Sequence, residues 1–487
     1  MLAFSLVAAR LDCGGERPAP GATQGGAASD AQAPEPRFVA VSAGATSTCG
    51  LTDRGQGYCW GSDSAGQLGR GSARGRGATG PSSRVPVAVR GPAFTAITVG
   101  QDHACALSRD GVAYCWGSNE QGALGTGQRA TINPVPTPVA SKARFQSIDA
   151  GTTRTCAVTL QGTVYCWGRF SVPSGDPAGK SASVPTPVAG SIRFRSVSVG
   201  LVHACGIGAD SGVYCWGLNH FGELGRDPPN ASLPNQSPGS PTLTAPVVSV
   251  GVSATGSCAV TADGIAYCWG RNMFGELGNG TSTEQYTANP VPSRVVGAQR
   301  WQQVSTGGGY TCGVTVQGVA HCWGLNAPDV LLLGSDSAPD RCVGPPPRPC
   351  SAKPIPVAGG LRFSQISAGG SHTCGVTSDG HIFCWGTNDY GELGTGSTEP
   401  AVNPVRVVFG PAPAPTPNER SLGRTQRRTP TCPHCGHPKT ETMPTNACLH
   451  FYECSACRMV RRPKHGDCCV FCSYGSSRCP PRQNEGP

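Results

Sequence analysis

Ala104-Cys-Ala-Leu-Ser-Arg-Asp-Gly-Val-Ala-Tyr-Cys-Trp-Gly117 places two short apolar-rich segments, Ala104–Leu107 and Val112–Trp116, on either side of Arg109-Asp-Gly111. Asp-Gly tolerates the positive φ of a tight turn, so the stretch predicts an antiparallel hairpin. Upstream, Phe94-Thr-Ala-Ile-Thr-Val-Gly100 alternates as a further strand. Val85-Pro-Val-Ala-Val89 reads as an edge strand, because Pro cannot donate to a central ladder. The unit is therefore a four-stranded antiparallel sheet.

The same phrase, a Cys, nine residues, a second Cys and Trp-Gly, recurs seven times. Its pairs are Cys49/Cys59, Cys105/Cys115, Cys156/Cys166, Cys205/Cys215, Cys258/Cys268, Cys312/Cys322 and Cys374/Cys384. Seven of the eight Trp stand in it: Trp60, Trp116, Trp167, Trp216, Trp269, Trp323 and Trp385. Sheets of this size bury their faces only against neighbours, and seven of them close radially into a ring. The predicted fold class is all-β, a seven-bladed β-propeller over residues 36–410. The first unit opens at Phe38-Val-Ala-Val-Ser-Ala-Gly44 without a preceding Pro/Val strand, whereas the last continues to Pro404-Val-Arg-Val-Val408. This asymmetry predicts one blade split between the chain ends, with the last strand pairing to the first unit.

Composition agrees. Among 487 residues, 69 Gly and 44 Pro are too many for helices, where each Gly costs roughly 1 kcal/mol and each Pro about 3. No run of about 18 apolar residues exists to span a bilayer as a helix. Residues 411–487 hold 11 Lys/Arg and 5 Asp/Glu of a chain whose formal charge is +9. The first 410 residues are therefore only slightly basic, which argues against nucleic acid as a partner of the propeller.

Gly370-Ser-His-Thr-Cys-Gly-Val, Asp379-Gly and Cys384-Trp-Gly-Thr-Asn-Asp-Tyr-Gly-Glu-Leu-Gly394 resemble the repeat of the regulator of chromosome condensation family. The string Trp-Gly-x-Asn-x-x-Gly-x-Leu-Gly recurs at 116–125, 216–225, 269–278 and 385–394. The first unit carries Asp63 for the Asn, the third lacks the string after Trp167, and the sixth breaks it at Leu325-Asn-Ala-Pro-Asp. The resemblance implies a protein partner bound through loops on one propeller face. It includes a nuclear exchange factor for a small GTPase and bacterial inhibitor propellers, and fold alone transfers neither activity.

Cysteines equidistant from a hairpin turn face each other on one side of the sheet at a separation a disulfide accepts. Seven such pairs, with Cys342/Cys350 as an eighth, predict bridges and hence an oxidising, extracytoplasmic compartment. The alternative is a set of reduced, buried fillers. Leu2–Ala9 resembles the apolar core of a secretory signal, though no basic residue precedes it. Cys13 admits a lipid anchor, against which Leu11-Asp12 argues. Gly14–Pro36 reads as a tether. Residues 1–35 are thus a possible signal remnant and tether, and the protein is expected to be a secreted or cell-surface monomer. His103, His203 and His372 recur two residues before the first Cys of their units, which predicts packed, hydrogen-bonding histidines rather than catalytic ones. No nucleophile elbow or phosphate-cradling loop is present.

After a Pro/Arg-rich linker, 411–430, a second cysteine-rich module fills 431–487. Cys432-Pro-His-Cys435 and Cys454-Ser-Ala-Cys457 have the spacing of a four-thiolate zinc ribbon, whose ion would supply folding energy that a core this small lacks. Two disulfides are the alternative. Gly466-Asp-Cys-Cys-Val-Phe-Cys472, with Phe451-Tyr-Glu-Cys and Arg462-Pro-Lys, resembles a small bacterial family named for its GDCCVxC motif. That resemblance implies a redox or soft-metal thiolate, with Cys469 as nucleophile and Cys472 as resolving thiol. A further structural knuckle is the competing reading. The chain is therefore read as a binding scaffold with an appended zinc- or thiol-active module, or as a thiol oxidoreductase or metal-handling protein docked through its propeller.

Overall fold

The computed structural model describes residues 35–410, apart from 72–81, 129–130, 170–181, 227–234, 244, 285–286, 328–329 and 344–346, together with four short strands between Gln426 and Arg461. Seven antiparallel sheets follow one another along the chain. Blade 1 is Phe38–Ala43, Ser47–Thr52, Gly57–Gly61 and Ser83–Ala88, ordered from the innermost strand outward. Blades 2 to 7 begin at Phe94, Phe145, Phe194, Val247, Trp301 and Phe363. Blade 6 carries a fifth strand, Asp340–Cys342, within its long insertion.

Blade phase differs from the sequence expectation. The Pro-containing strand Ser83–Ala88 pairs with Gly57–Gly61 of the blade before it, not with the unit after it. Ala401–Arg406 likewise completes blade 7 beside Ile382–Gly386. No strand is exchanged between the chain ends among the described residues. For Ala401–Arg406, pairing with the strand that ends at Gly386 costs less loop entropy than pairing with the first unit at the other end of the chain. The ring closes instead by blade-to-blade packing. Phe38, Val41 and Trp60 of blade 1 share a core with Val376, Ile382 and Leu393 of blade 7. Phe409, just past the last strand, stacks 5.5 Å from Phe38 and 5.4 Å from Tyr58, ring centre to ring centre.

Each hairpin turn is tied to the next blade. The turn glycines Gly55, Gly111 and Gly264 have φ of 85°, 76° and 79°, the left-handed region the sequence predicted for Asp-Gly-like turns. Their carbonyls accept from the N–H of Phe94, Phe145 and Trp301. The paired cysteines stand opposite each other in register, as in Cys105↔Cys115, and all seven are bridged; Cys342–Cys350 is the eighth bridge.

The repeated string is a clamp between blades. The Asn388 side chain accepts from Leu393 N–H at 2.9 Å and donates to Ser397 O at 3.1 Å, holding the loop shut. The carbonyl of Glu392 then accepts from the indole N–H of Trp60 in the next blade, at 2.7 Å. Asn219 and Asn272 repeat the arrangement. In blade 1, Asp63 accepts from Leu68 N–H and Arg70 closes the loop onto its second oxygen at 2.9 Å. The buried indole N–H groups of Trp216, which faces the blade that lacks the string, and of Trp167, which faces one that has it, find no partner among the described residues.

Candidate functional site

The innermost strands end at the mouth of the central channel. Equivalent positions Ser42, Thr98, Asp149, Ser198, Ser305 and Ser367 sit one residue before the last residue of those strands. Their side chains accept backbone N–H groups of the following blade: Val99 to Ser42 at 3.0 Å, Ala150 to Thr98 at 3.1 Å and Ala43 to Ser367 at 3.0 Å. The seventh position is Gly251, which carries no such group. Two residues further along, Gly44, Gly100, Gly151, Gly200, Gly307 and Gly369 crowd so closely that a Cβ on Gly44 would collide with the Gly100 carbonyl, and one on Gly369 with that of Gly44. Glycine is required there by approach, not by φ. The resulting mouth is a cavity of about 240 Å³.

Asp149 is the one charged side chain lining that cavity among the described residues. It accepts from the Thr98 hydroxyl at 2.8 Å and Val199 N–H at 2.7 Å. Desolvation nevertheless pushes its carboxyl up to about 6, because neutral donors from Val199, Thr98, Ala150 and Ser198 do not replace bulk water around a charge. Its role in the described structure is to join blades 2, 3 and 4.

The three repeated histidines are buried between blades. His103 Nε2 lies 2.9 Å from Thr155 Oγ1, His203 Nε2 lies 2.7 Å from Ser257 Oγ, and His372 Nε2 lies 2.7 Å from Thr48 Oγ1. Burial lowers them to about 4, 3 and 4, so they are neutral near pH 7. Tyr310 takes the same place in blade 6 and reaches Thr373 Oγ1 at 2.8 Å. Where the blade carries Ser47 or Arg154 instead, the next blade presents Ala104 or Ala204. This matching between neighbours, legible once the units are aligned and broken only where Gly256 meets Thr311, marks packing.

Buried carboxyls form another interblade set. Glu223, Glu276 and Glu392 of the string accept from Phe221, Phe274 and Tyr390 N–H, and burial pushes all three up to about 7. Among the described residues no group of three His, Cys, Asp or Glu is placed to hold a metal ion. The sequence-predicted ligands Cys432, Cys435, Cys454 and Cys457, and the thiols Cys468, Cys469 and Cys472, lie outside the described residues.

Family models described as Regulator of chromosome condensation (RCC1) repeat match residues 38–67, 94–123, 194–223 and 363–392, and a second model of that repeat matches 54–107, 110–158, 263–314 and 379–415. The propeller belongs to the regulator of chromosome condensation repeat family. The ultraviolet-B receptor UVR8 of Arabidopsis thaliana is 28% identical over 79% of this chain and 72% of its own length. Human E3 ubiquitin-protein ligase HERC2 is 26% identical over 76% of this chain, which spans 6% of that protein. Among solved structures, Prp20p of Saccharomyces cerevisiae superposes with a TM-score of 0.64 at 20% identity, covering 74% of this chain and 87% of that one. Human WBSCR16 gives 0.60 at 21% identity over 74% of this chain and 95% of that one. These structural likenesses establish a regulator of chromosome condensation fold for the propeller.

Proposed function

We propose that this chain is a protein-binding propeller of the extracytoplasmic space carrying a zinc-dependent cysteine module. The observation that carries the binding reading is the propeller itself, a disulfide-stapled ring whose repeat-equivalent polar groups are spent on joining blades, leaving its faces for contact. The Prp20p structure is described together with binding to Gsp1p and histones, and the same yeast propeller is described bound to Kap60. Eight bridges in the ring favour an oxidising compartment.

For the tail, backbone pairing of Gln426–Arg428 with Glu441–Met443, and of Tyr452–Glu453 with Val460–Arg461, supports the zinc reading. Each Cys-x-x-Cys falls, in sequence, within the connection of one of these strand pairs, as zinc-ribbon knuckles do. Cys432, Cys435, Cys454 and Cys457 would hold the ion, which would supply folding energy and no reaction step. The second reading, a thiol oxidoreductase or metal-handling protein acting through Cys469 and Cys472, is favoured by the Cys-Val-Phe-Cys motif.

Site-specific photo-crosslinking in secreting cells tests the binding reading. Crosslinkers at Gln101, on the channel-mouth face, and at Val316, on the opposite face, should yield a discrete protein adduct from one of the two. Absence of adducts from both faces overturns it.

A further inference from the structure

The face opposite the channel mouth is formed by the hairpin turns and the starts of the innermost strands. In five blades the residue before the first aromatic of the innermost strand is arginine: Arg37, Arg144, Arg193, Arg300 and Arg362. All five are exposed. The aromatic N–H is bonded to the turn carbonyl of the preceding blade, as in Phe194 to Gly162 at 2.8 Å, so each guanidinium is carried over its neighbour's turn. Arg193 Nη1 donates to Thr163 Oγ1 at 2.9 Å and Arg300 Nη1 to Asp263 O at 2.9 Å.

Most turns offset this charge with an aspartate that is itself engaged locally. Asp110 accepts from Ser108 at 2.6 Å and Asp210 from Tyr214 at 2.6 Å, which holds both carboxyls below the usual range. Blades 3 and 6 break the pattern: their turns, Leu160-Gln-Gly162 and Val316-Gln-Gly318, carry no carboxylate, and Leu160 and Val316 are 59% and 55% exposed. Blade 3 adds to this a cluster of cations and a cavity. Exposed Lys142, Arg144, Arg193 and Arg195 surround this sector. Beside Arg193 opens a cavity of about 250 Å³, walled by Thr163, Val188, Ser191, Ile192, Phe194 and Pro238. Blades 3 and 4 therefore juxtapose a cationic rim and a pocket of mixed lining, in which Val188, Ile192 and Pro238 can take an apolar side chain while Thr163 and Ser191 add polar groups.

We propose that the blade 3–4 sector of this face is a docking site for an acidic segment of a partner protein, with a leucine-sized side chain in the pocket and flanking carboxylates on Arg193 and Arg144. The sector's charge sets the occupant: Asp110 faces Arg144 and Asp210 faces Arg195, but Lys142 and Arg193 leave the rim with a positive excess that a basic segment would oppose. The site deepens the protein-binding reading and rests on it.

The test uses the full chain and a fluorescein-labelled Gly-Glu-Glu-Leu-Glu-Glu-Gly peptide, followed by anisotropy at low and at 0.3 M salt. Saturable binding that weakens with salt is expected, with at least a five-fold loss when Leu is replaced by Ser in the peptide. Arg144→Glu/Arg193→Glu should lose ten-fold or more, and Ser191→Trp, which fills the pocket mouth, should lose the Leu preference, both with an unchanged thermal midpoint. No saturable binding, indifference to charge reversal, or tighter binding of a single-stranded DNA oligonucleotide or of vesicles containing phosphatidylglycerol overturns the assignment. Photo-adducts confined to Gln101 would leave a protein-binding propeller standing while this site failed.

Discussion

His372 Nε2 meets Thr48 Oγ1 at 2.7 Å across the seam between the last blade and the first. Thr48 also donates to Glu392 O at 2.9 Å, so its hydroxyl receives the proton of His372 Nε2 and the imidazole is held as the Nε2–H tautomer. This seam stands where a shared strand was expected. Thr48→Val strips a buried donor of its acceptor and should cost about 1–3 kcal/mol, read as a lower urea midpoint. A Thr48→Ala/His372→Ala cycle should be non-additive, because both singles break the same contact.

Phe409 offers a second check on closure. Its ring packs on Phe38 and Tyr58 from beyond the last strand. Phe409→Ala should lower the thermal midpoint of the propeller by the equivalent of about 1–2 kcal/mol, since an aromatic cluster is worth more than its buried area alone. An unchanged midpoint would leave closure to the buried blade 1–blade 7 core and the seam of hydrogen bonds.

Peptide mapping of the native protein without reductant should recover Cys105–Cys115 and its six counterparts as bridges within hairpins. Replacing both Cys105 and Cys115 by Ala removes a constraint on a short loop and should cost about 3 kcal/mol by loop entropy. Ready alkylation of these thiols in the native protein would remove the basis for an oxidising compartment.

The buried acids and histidines give opposing pH dependences. Glu223, Glu276 and Glu392 are raised to about 7, so the native state holds protons the unfolded chain has released, and their contribution declines as pH rises from the normal carboxylate range through 7. His103, His203 and His372 are depressed to 3–4, so their contribution is present above about 6.5 and is lost as pH falls through the folded values. The two slopes largely cancel between pH 5 and 6.5. A Glu223→Gln/Glu276→Gln/Glu392→Gln variant should therefore gain stability steeply over that interval and exceed the parent at pH 8, in urea midpoints. Gln67, which already fills the place in blade 1 and accepts from Ala65 N–H at 2.9 Å, shows that the amide fits.

In the tail, Cys432→Ser or Cys457→Ser should release zinc, measured by a chromogenic chelator, and unfold residues 431–483. Cys469→Ser should retain the ion while abolishing exchange with a small disulfide, if that motif is redox-active. Loss of a second metal equivalent in Cys469→Ser would instead make the motif a ligand set.

The blade count, the hairpin turns and the cysteine partners were determined by the sequence, because each depends on contacts within about ten residues: alternation, Asp-Gly turns, and Cys equidistant from the turn. The recurrence of His103, His203 and His372 likewise declared a structural role. Strand phase was not legible, since Val85–Val89 has the same composition whichever neighbour it pairs with, and only the fold shows it beside Gly57–Gly61. Closure by Thr48, His372 and Phe409 joins residues more than 300 positions apart, and no local pattern encodes which side chains meet there. The pocket beside Arg193 also brings Val164 of blade 3 against Pro238 of blade 4, a pairing supplied by ring geometry alone.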